Sequence, residues 1–518
     1  MKSLTEKTLL NLISIAATML WSAVVLPAHA VTPRDFGGKG DVVELKDGAM
    51  AAQSNAFHSN SANFMPADAG KAIVVTGAGP GGGALITKIQ SVNSGKQLVL
   101  ESGAETTVAN AVTYYGTDDT SAIRKCVYEG TTRGGECTII DGVTFMVSNT
   151  TSTIAPFGAG NNPIHGGTIG GQGRIIFAPQ GKIAGGTNDR LFYLTSQETR
   201  PMRVSGAITK GATSFRAESA SDAATLSSGD WVLITERDSV VKDHVYADWV
   251  QVSSVAGSTV QVSKPFRMAF PGARPWAGPP SYWGLSFRKV SPVTSNLTIH
   301  GVVIVIPKVT GAQIVGIATR DTRGTTISNV TCQDASGNCF AGYMDQGMIF
   351  QDNNIIERTY AEFAAEVDIS ILRNHFNKSG SGLNLPGPPT SGGLEFDFGS
   401  GFGRVEENVI GPSKQVCISL YPGIHDTIIA KNTCDPVTFG SGAACIMSRG
   451  GYRLTIVENT CMGSAEGRGV GIDVGDATNL QAPMLSDGNQ ISRNRVEGFA
   501  SHYACGVTRL KTDTCDRR

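Results

Sequence analysis

The chain has 518 residues and a formal net charge of -1, with 63 glycines and 17% charged residues. Glycine exceeds its usual share of about 7% and charge falls short of about 25%, which excludes long solvated helices and coiled coils. No Gly-X-Y period is present, so a collagen-like fibre is also excluded. The near-neutral balance, without a Lys/Arg block, gives no electrostatic footprint for nucleic acid.

The first thirty residues have the pattern of a secretory signal peptide. Lys2 and Lys7 precede an apolar run from Leu9 to Leu26, and Ala28-His29-Ala30 supplies an A-x-A cleavage site. An uncleaved membrane anchor is the alternative, but polar residues dilute the apolar run. We predict an exported protein, secreted or periplasmic, that has no membrane contact after cleavage.

Residues 31–135 are expected to form an N-terminal cap region with an inserted β module at about 42–115, where glycine and serine turns separate short β-patterned runs. Asp118-Asp119-Thr120 then precede AIRKCV, which predicts a capped amphipathic helix over the open end of the following repeat. The repeat itself is placed at 136–510, with a second β module at about 202–266. A short tail at 511–518 follows.

Ten cysteines suit an oxidising compartment, because an even number allows every cysteine to form a disulfide. Three pairs are close enough in sequence to close short loops: Cys126 with Cys137, Cys332 with Cys339, and Cys505 with Cys515. The spacing leaves the connectivity open. No cysteine or histidine spacing typical of a structural zinc site occurs in the sequence.

An internal repeat dominates the C-terminal half. An apolar-x-x-Asn-x-apolar frame recurs with a period of roughly 21 to 27 residues once two inserted loops are set aside, and short β-branched runs lie between the copies. This period favours a single-stranded parallel β-helix, in which stacked asparagines occupy turns and pass amide hydrogen bonds from coil to coil. The six frames are centred on Asn353, Asn374, Asn408, Asn432, Asn459 and Asn494.

A second ladder precedes the asparagines. The segments VGIATRD, FAGYMDQG, EFAAEVD, LEFDFGSG, CISLYPGIH, CIMSRGG and VGIDVGD align between residues 315 and 476, with polar and apolar residues alternating in each. Because alternate side chains of a strand point to opposite faces, we expect the polar ones to form a strip along one outer flank.

The opening of the mature chain resembles a known family. Asp35-Phe36-Gly37-Gly38-Lys39-Gly40-Asp41 and Gly116-Thr117-Asp118-Asp119-Thr120 are similar to the two halves of the opening motif of the pectate-lyase-like superfamily, which includes rhamnogalacturonase, epimerase-like and phage tailspike proteins. The resemblance implies an all-β fold: a right-handed parallel β-helix with an N-terminal cap helix and inserted small β modules. The superfamily contains hydrolases, lyases, epimerases and non-catalytic binders, so the resemblance leaves the reaction open.

The catalytic strings of the polygalacturonase-like hydrolases and of the alginate epimerases are absent from the sequence, so candidate residues come from the polar strip. Residues i and i+2 on a strand are roughly 6.6 Å apart and adjacent coils roughly 4.8 Å apart, close to the carboxylate separations of glycosidases. Crowding would raise the pKa of one carboxyl, as a general acid requires. The alternative is that such residues only confer solubility. The predicted carboxylates are Asp345, Glu366, Glu395 and Asp397.

Tyr421, His425 and Arg449 are expected on the same flank in the next two coils, where they extend the predicted catalytic set. A lyase would use them to remove the proton α to a uronate carboxyl, with Asp397 or Asp345 binding Ca²⁺. Their alternatives are a turn histidine bonded to Asp426 and an arginine in a simple ion pair.

We therefore expect a polysaccharide-degrading enzyme, most plainly a glycoside hydrolase, with a polysaccharide lyase and a non-catalytic glycan-binding adhesin as alternatives. The expected partner is a polysaccharide substrate; monomer and homotrimer both stay open. No cofactor is expected, except Ca²⁺ for the lyase. Four aromatic residues are candidate sugar-stacking platforms, with packing of the second module as the alternative. They are Trp249, Trp276, Tyr282 and Trp283.

Overall fold

The computed structural model describes residues 30–132, 134–149, 166–180, 189–278, 282–291, 293–310, 314–333, 338–356, 361–377, 394–397, 399–411, 416–437, 444–463, 469–478, 480, 483–505 and 514–515. The predicted signal peptide, apart from Ala30, lies outside the described residues, as does most of the predicted C-terminal tail. We number the strands β1 to β43 and the helices α1 and α2 in chain order.

Three parallel sheets build the body of the described chain, and successive strands visit the sheets in turn, as a right-handed parallel β-helix requires. Sheet 1 contains β1 (Ala30–Val31), β8 (Glu136–Thr138), β10 (Thr168–Gly170), β19 (Thr298–His300), β22 (Thr326–Ser328), β25 (Ile349–Gln351), β28 (Ser370–Leu372), β31 (Arg404–Glu406), β34 (Ile428–Ala430), β37 (Thr455–Val457), β40 (Gln490–Ser492) and β43 (Thr514–Cys515).

Sheet 2 contains β9 (Thr144–Asn149), β11 (Arg174–Gln180), β20 (Val303–Val305), β23 (Thr331–Gln333), β26 (Asn354–Ile356), β29 (His375–Asn377), β32 (Val409–Ile410), β35 (Thr433–Val437), β38 (Thr460–Gly463) and β41 (Arg495–Glu497). Sheet 3 contains β12 (Asp189–Thr195), β21 (Ile314–Arg320), β24 (Phe340–Tyr343), β27 (Ala361–Ala364), β30 (Leu394–Asp397), β33 (Val416–Leu420), β36 (Ala444–Arg449), β39 (Val470–Gly475) and β42 (Ser501–Cys505). The inward side chains of all three sheets form one continuous apolar core.

The predicted asparagine ladder is confirmed. Each asparagine from Asn353 onward donates its Nδ2 to the Oδ1 of the next, at 2.9 Å in all five steps to Asn494. The left-handed backbone lies at the residue before each asparagine, for example at Asp352 and Arg373, whose φ values are 56° and 53°. The asparagine therefore serves as the hydrogen-bonding residue of the turn, and its predecessor takes the left-handed conformation.

The two halves of the opening motif meet in space. Asp119 accepts hydrogen bonds from the backbone N–H of Lys39 at 2.7 Å and of Gly40 at 3.1 Å, across the inserted module. Asp118 accepts the N–H of Thr120 at 3.1 Å and so caps α1 (Thr120–Thr132). The buried face of α1 joins the apolar core of the coils, which confirms the predicted cap helix.

Two antiparallel modules interrupt the coil path. The first is a closed barrel of β2 (Val43–Met50), β3 (Ala56–His58), β4 (Ala72–Val75), β5 (Leu85–Ser94), β6 (Gln97–Leu100) and β7 (Val108–Gly116). The second, called the docking module below, is a sheet of β13 (Met202–Arg203), β14 (Ser214–Arg216), β15 (Trp231–Asp238), β16 (Asp243–Ala256), β17 (Thr259–Val262) and β18 (Gly284–Val290), with the short helix α2 (Ala220–Ala223). Strand β18 extends this sheet past residue 266, because it pairs with both β13 and β15.

Three disulfides lie within the described residues: Cys126–Cys137, Cys417–Cys434 and Cys445–Cys461. The first is one of the pairs suggested by spacing and ties α1 to sheet 1. The other two cross the coil interior from sheet 3 to sheet 2, because one coil brings residues 16 or 17 positions apart face to face. Cys332 and Cys339 are buried free thiols, and the side chains of Cys505 and Cys515 lie outside the description.

Candidate functional site

The outer face of sheet 3 carries a pocket beside the docking module. The segments aligned from the sequence are in-register neighbours in this sheet, which confirms the ladder. Apolar partners such as Ile317 and Phe340 enter the core, and the residues between them line the outer face. A cavity of about 310 Å³ opens there, and its polar lining residues are Arg190, Tyr193, Thr319, Arg320, Asn338, Tyr343 and Glu362.

Glu362 is the carboxylate of this lining. It lies on β27, and both of its oxygens accept hydrogen bonds: Oε1 from the Tyr343 hydroxyl at 3.0 Å and Oε2 from the Asn338 amide at 2.5 Å. These bonds hold the carboxylate in a fixed orientation at the pocket wall. The backbone register places Glu395 of β30 directly beside Glu362 in the next coil.

The docking module brings a second carboxyl group to Glu362. Asp243 begins β16, just after the hairpin turn from β15, and is half-buried. Burial raises the pKa of Asp243, and the negative charge of Glu362 raises it further, while the His244 N–H and Arg237 act in the opposite direction. Glu362 lines the pocket, and Asp243, which is not a lining residue, is near enough for the charges of the two carboxyl groups to interact.

Arginines from the docking module and from the coil lie where the two meet, a region called the junction below. Glu198 accepts a hydrogen bond from Arg288 of β18 at 2.5 Å and from Arg320 of β21 at 2.9 Å, so one carboxylate joins module and coil. Burial lowers the pKa of Arg237, and the charges of Arg288 and Arg320 lower it further. His244 faces the same three arginines and stays neutral, because burial and their charges hold its pKa well below the ordinary value.

Three of the four predicted sugar-stacking residues lie near this junction. Trp283 stacks against Arg237, whose guanidinium carbon is 4.7 Å from the ring centroid. Trp276 and Tyr282 pack against each other with centroids 6.4 Å apart, and all three are half-buried. Arg237 is in turn close enough to the pocket residue Arg320 for their charges to interact, and none of the three aromatic residues lines the described pocket.

Trp249 does not form an exposed platform. It is only 4% exposed and its indole N–H donates to the Met344 carbonyl at 2.9 Å. It belongs to an apolar cluster between β15, β16 and the coil turns. The alternative interpretation, packing of the module onto the β-helix, is therefore correct for this residue, because a buried ring has no free face for a sugar.

Asp345 and Glu366 were expected to point outward, and this is wrong. Both are fully buried inside the coil. Each follows a residue that breaks the strand alternation, Met344 with φ 57° and Ala365 with φ 55°, so the next side chain turns inward. Asp345 accepts hydrogen bonds from the Thr322 N–H at 2.6 Å and hydroxyl at 2.8 Å, which replaces its expected role as a Ca²⁺ ligand.

The expected crowding of carboxyls is present, but inside the coil. Burial raises the pKa of Asp345 to about 6 and that of the adjacent Asp321 to about 7. Burial and the charges of Asp345 and Asp321 raise the pKa of Glu366 well above its ordinary value. A polymer outside the β-helix cannot contact these groups, so they are not candidates for touching substrate.

His425 is also buried. Its Nδ1 lies 2.9 Å from Asp426 Oδ2, and its ring stacks on Tyr452 with centroids 5.2 Å apart. Burial lowers the pKa of the imidazole. The alternative of a turn histidine bonded to Asp426 is the correct one.

Arg449 forms an ion pair, as the alternative to a catalytic role had it: its Nη2 donates to Asp473 Oδ2 at 2.5 Å. Tyr421 follows β33 and is half-buried. Asp397 ends β30 beside Ala364 of the preceding coil, and only the backbone of Glu395 and Asp397 is described. Catalytic roles for Tyr421, Glu395 and Asp397 stay predictions.

Three residues at or near the pocket were not predicted from the sequence, and they differ in whether a sequence pattern could have identified them. Glu362 opens the segment EFAAEVD and its outward position follows from the inward Phe363, so alternation could have identified it. Asp243 and Glu198 lie in or beside the docking module, outside the repeat. No periodic pattern could have brought them to sheet 3.

In the described part of the chain, no helix combines the length and apolar composition needed to cross a bilayer. Within the same residues, histidine, cysteine, aspartate and glutamate do not gather in threes that could hold a metal ion.

No protein-family model and no curated protein matches the chain. Solved structures do match. The tailspike protein gp49 from Pseudomonas phage LKA1 is 12% identical with a TM-score of 0.33 over 74% of each chain. The Gp54 tailspike of Acinetobacter baumannii bacteriophage AP22, in complex with a capsular saccharide, is 12% identical with a TM-score of 0.31, over 73% of this chain and 66% of the other. DFA-IIIase from Arthrobacter chlorophenolicus A6 is 9% identical with a TM-score of 0.33, over 76% and 90%.

Because these similarities are distant, the assignment depends on the features of the chain itself. The three parallel sheets, the asparagine ladder and the joined opening motif belong together in one architecture. The chain has a right-handed parallel β-helix fold with an N-terminal cap helix and two inserted antiparallel modules.

Proposed function

We propose that the chain is an exported enzyme that hydrolyses glycosidic bonds in a polysaccharide bound along sheet 3. Asp243 is the general acid, and Glu362 is the second carboxylate, acting as base or nucleophile. The observation that carries the proposal is that Glu362 lines the pocket and that Asp243, from a separate element, is near enough for the two carboxyl charges to interact.

The two environments suit these roles. The half-buried Asp243 has a raised pKa, so it retains a proton closer to neutral pH than an exposed aspartate does. Glu362 is oriented by Tyr343 and Asn338, and an oriented carboxylate can activate water or attack the anomeric carbon. Glu395, the register neighbour of Glu362, is the alternative second carboxylate.

Export is supported by the signal-peptide pattern and by three disulfides, which persist in oxidising compartments. Trp276, Tyr282 and Trp283 remain proposed sugar contacts at the far side of the junction, where aromatic faces can stack on pyranose rings.

A β-elimination is the second candidate, favoured by one observation. The hydroxyl of Tyr343 lies in the same pocket as Arg190 and Arg320, and a tyrosine base beside arginines that neutralise a uronate carboxylate can perform this chemistry.

The test is incubation of the mature protein with neutral and uronic-acid polysaccharides, with and without Ca²⁺ or EDTA. Reducing ends and the absorbance of unsaturated uronates are read together. New reducing ends without absorbance support hydrolysis, and absorbance supports elimination. Binding without either signal would contradict the enzyme proposal and favour the adhesin.

A further inference from the structure

We infer that the pocket selects a sugar carrying an anionic substituent, a carboxylate or a sulfate, which pairs with Arg190 and Arg320. The inference rests on the proposed function in taking a glycan as the ligand. It goes further by naming the charge of that glycan and the residues that recognise it. It also differs from the sequence analysis, which placed carboxylates rather than arginines along the polar strip.

Arg190 supplies the first cationic group. It lines the pocket, and its guanidinium carbon lies 4.4 Å above the Tyr193 ring. Among the residues that the structure describes, no carboxylate forms an ion pair with Arg190. Stacking on an aromatic ring leaves the in-plane N–H groups of a guanidinium available to a carboxylate or sulfate.

Arg320 supplies the second cationic group, and its charge is only partly balanced. Its Nη2 donates to Glu198 at 2.9 Å and its Nε to Asp321 at 3.3 Å. Glu198 is shared with Arg288, however, and the pKa of Asp321 is raised to about 7, mainly by burial, so this carboxyl is partly protonated at neutral pH.

The carboxylate of Glu362 in the pocket wall keeps its negative charge, because its hydrogen-bond donors are neutral groups, and it therefore offsets one of the two guanidinium charges. Both oxygens of Glu362 already accept hydrogen bonds from Asn338 and Tyr343. Asp243 lies close enough to Glu362 for their charges to interact, but it is not one of the residues that line the pocket. The pocket therefore contains two guanidinium groups and one engaged carboxylate.

A third and a fourth arginine strengthen the positive potential behind Arg320. Arg288 is only 4% exposed, and its Nε is buried without a hydrogen-bond acceptor in the described structure. Arg237 lies close enough to Arg288 and Arg320 for their repulsion to lower its pKa. Burial, and then the charges of the same three arginines, lower the pKa of His244. An anionic group entering from the pocket relieves this repulsion.

The experiment measures the affinity of the full mature chain for alginate, for a carrageenan and for dextran by affinity electrophoresis, which requires no turnover. We expect an acidic polymer to bind at least tenfold more tightly than dextran and the preference to fall as salt rises. Arg190→Gln should remove the preference, Arg190→Lys should retain part of it, and Arg495→Gln, an exposed arginine on sheet 2, should leave it unchanged.

Binding of alginate alone assigns a carboxylate, and binding of carrageenan alone assigns a sulfate. The inference is overturned if dextran binds as tightly as the acidic polymers, if neither acidic polymer binds, or if Arg190→Gln keeps the preference. Turnover of a neutral polymer without acidic binding would overturn only this inference. Acidic binding that depends on Arg190, without turnover of any polymer, would overturn only the proposed hydrolysis.

Discussion

Asn353 tests how much the buried amide column stabilises the coil stack. Its Oδ1 accepts the Val330 N–H at 2.9 Å, and its Nδ2 donates to the Ile327 carbonyl at 3.1 Å and to Asn374 at 2.9 Å. Asn353 is 1% exposed, so water cannot replace these bonds. A buried N–H without an acceptor costs about 1–3 kcal/mol and each other bond contributes about 1 kcal/mol, so Asn353→Ala should cost about 3–5 kcal/mol.

The neighbouring Asn354 is the matched control. Its Oδ1 is buried without a hydrogen-bond partner, so it takes no part in the column. Asn354→Ala should change the free energy of unfolding by no more than about 0.5 kcal/mol. Urea unfolding followed by tryptophan fluorescence compares both variants with the parent. Equal midpoints for Asn353→Ala and the parent would refute the stabilising role of the column.

Two further predictions concern the buried groups. Gly401→Ala would place a Cβ 2.1 Å from the His425 ring, so we expect a loss of about 1–3 kcal/mol, whereas Gly278→Ala, which meets open space, should be nearly neutral in thermal unfolding. Glu366 has a raised pKa in the folded state, so the folded chain binds its proton more tightly and stability from this group falls as pH rises above about 4. Between pH 5 and 8 the melting temperature of Glu366→Gln should therefore decline less than that of the parent; an equal or steeper decline contradicts this.

The coil could be predicted because its signals repeat. The asparagine frames and the polar ladder recur once per coil, so the fold, the in-register strands and the amide column follow from sequence alone. The sequence did not predict whether single side chains point inward or outward, because one left-handed residue reverses the alternation. Ala365 has no sequence feature of a left-handed turn. Its conformation turns Glu366 into the core, while Glu362, three positions before Ala365, stays outside.

The site depends on tertiary contacts that no periodicity encodes. Asp243 belongs to the docking module, which packs on the turns that follow sheet 3 through Trp249 and its bond to Met344, and there its charge interacts with that of Glu362. The packing of an inserted module on a repeat is set by shape and burial rather than by spacing. Reasoning along the repeat therefore pointed to sheet 3, where the pocket lies, but it selected carboxylates from the repeat alone.

The pairing of Asp243 with Glu362 is the central claim, and its most direct test is the rate of hydrolysis of a polysaccharide substrate by single variants. Asp243→Asn and Glu362→Gln should each lower kcat by about 10²–10⁴-fold, the usual contribution of a positioned acid or base. Asp222→Asn removes a carboxylate of the same module that pairs with Arg200, and it should retain the parent rate. Full activity in Asp243→Asn, or an equal loss in Asp222→Asn, would contradict the account.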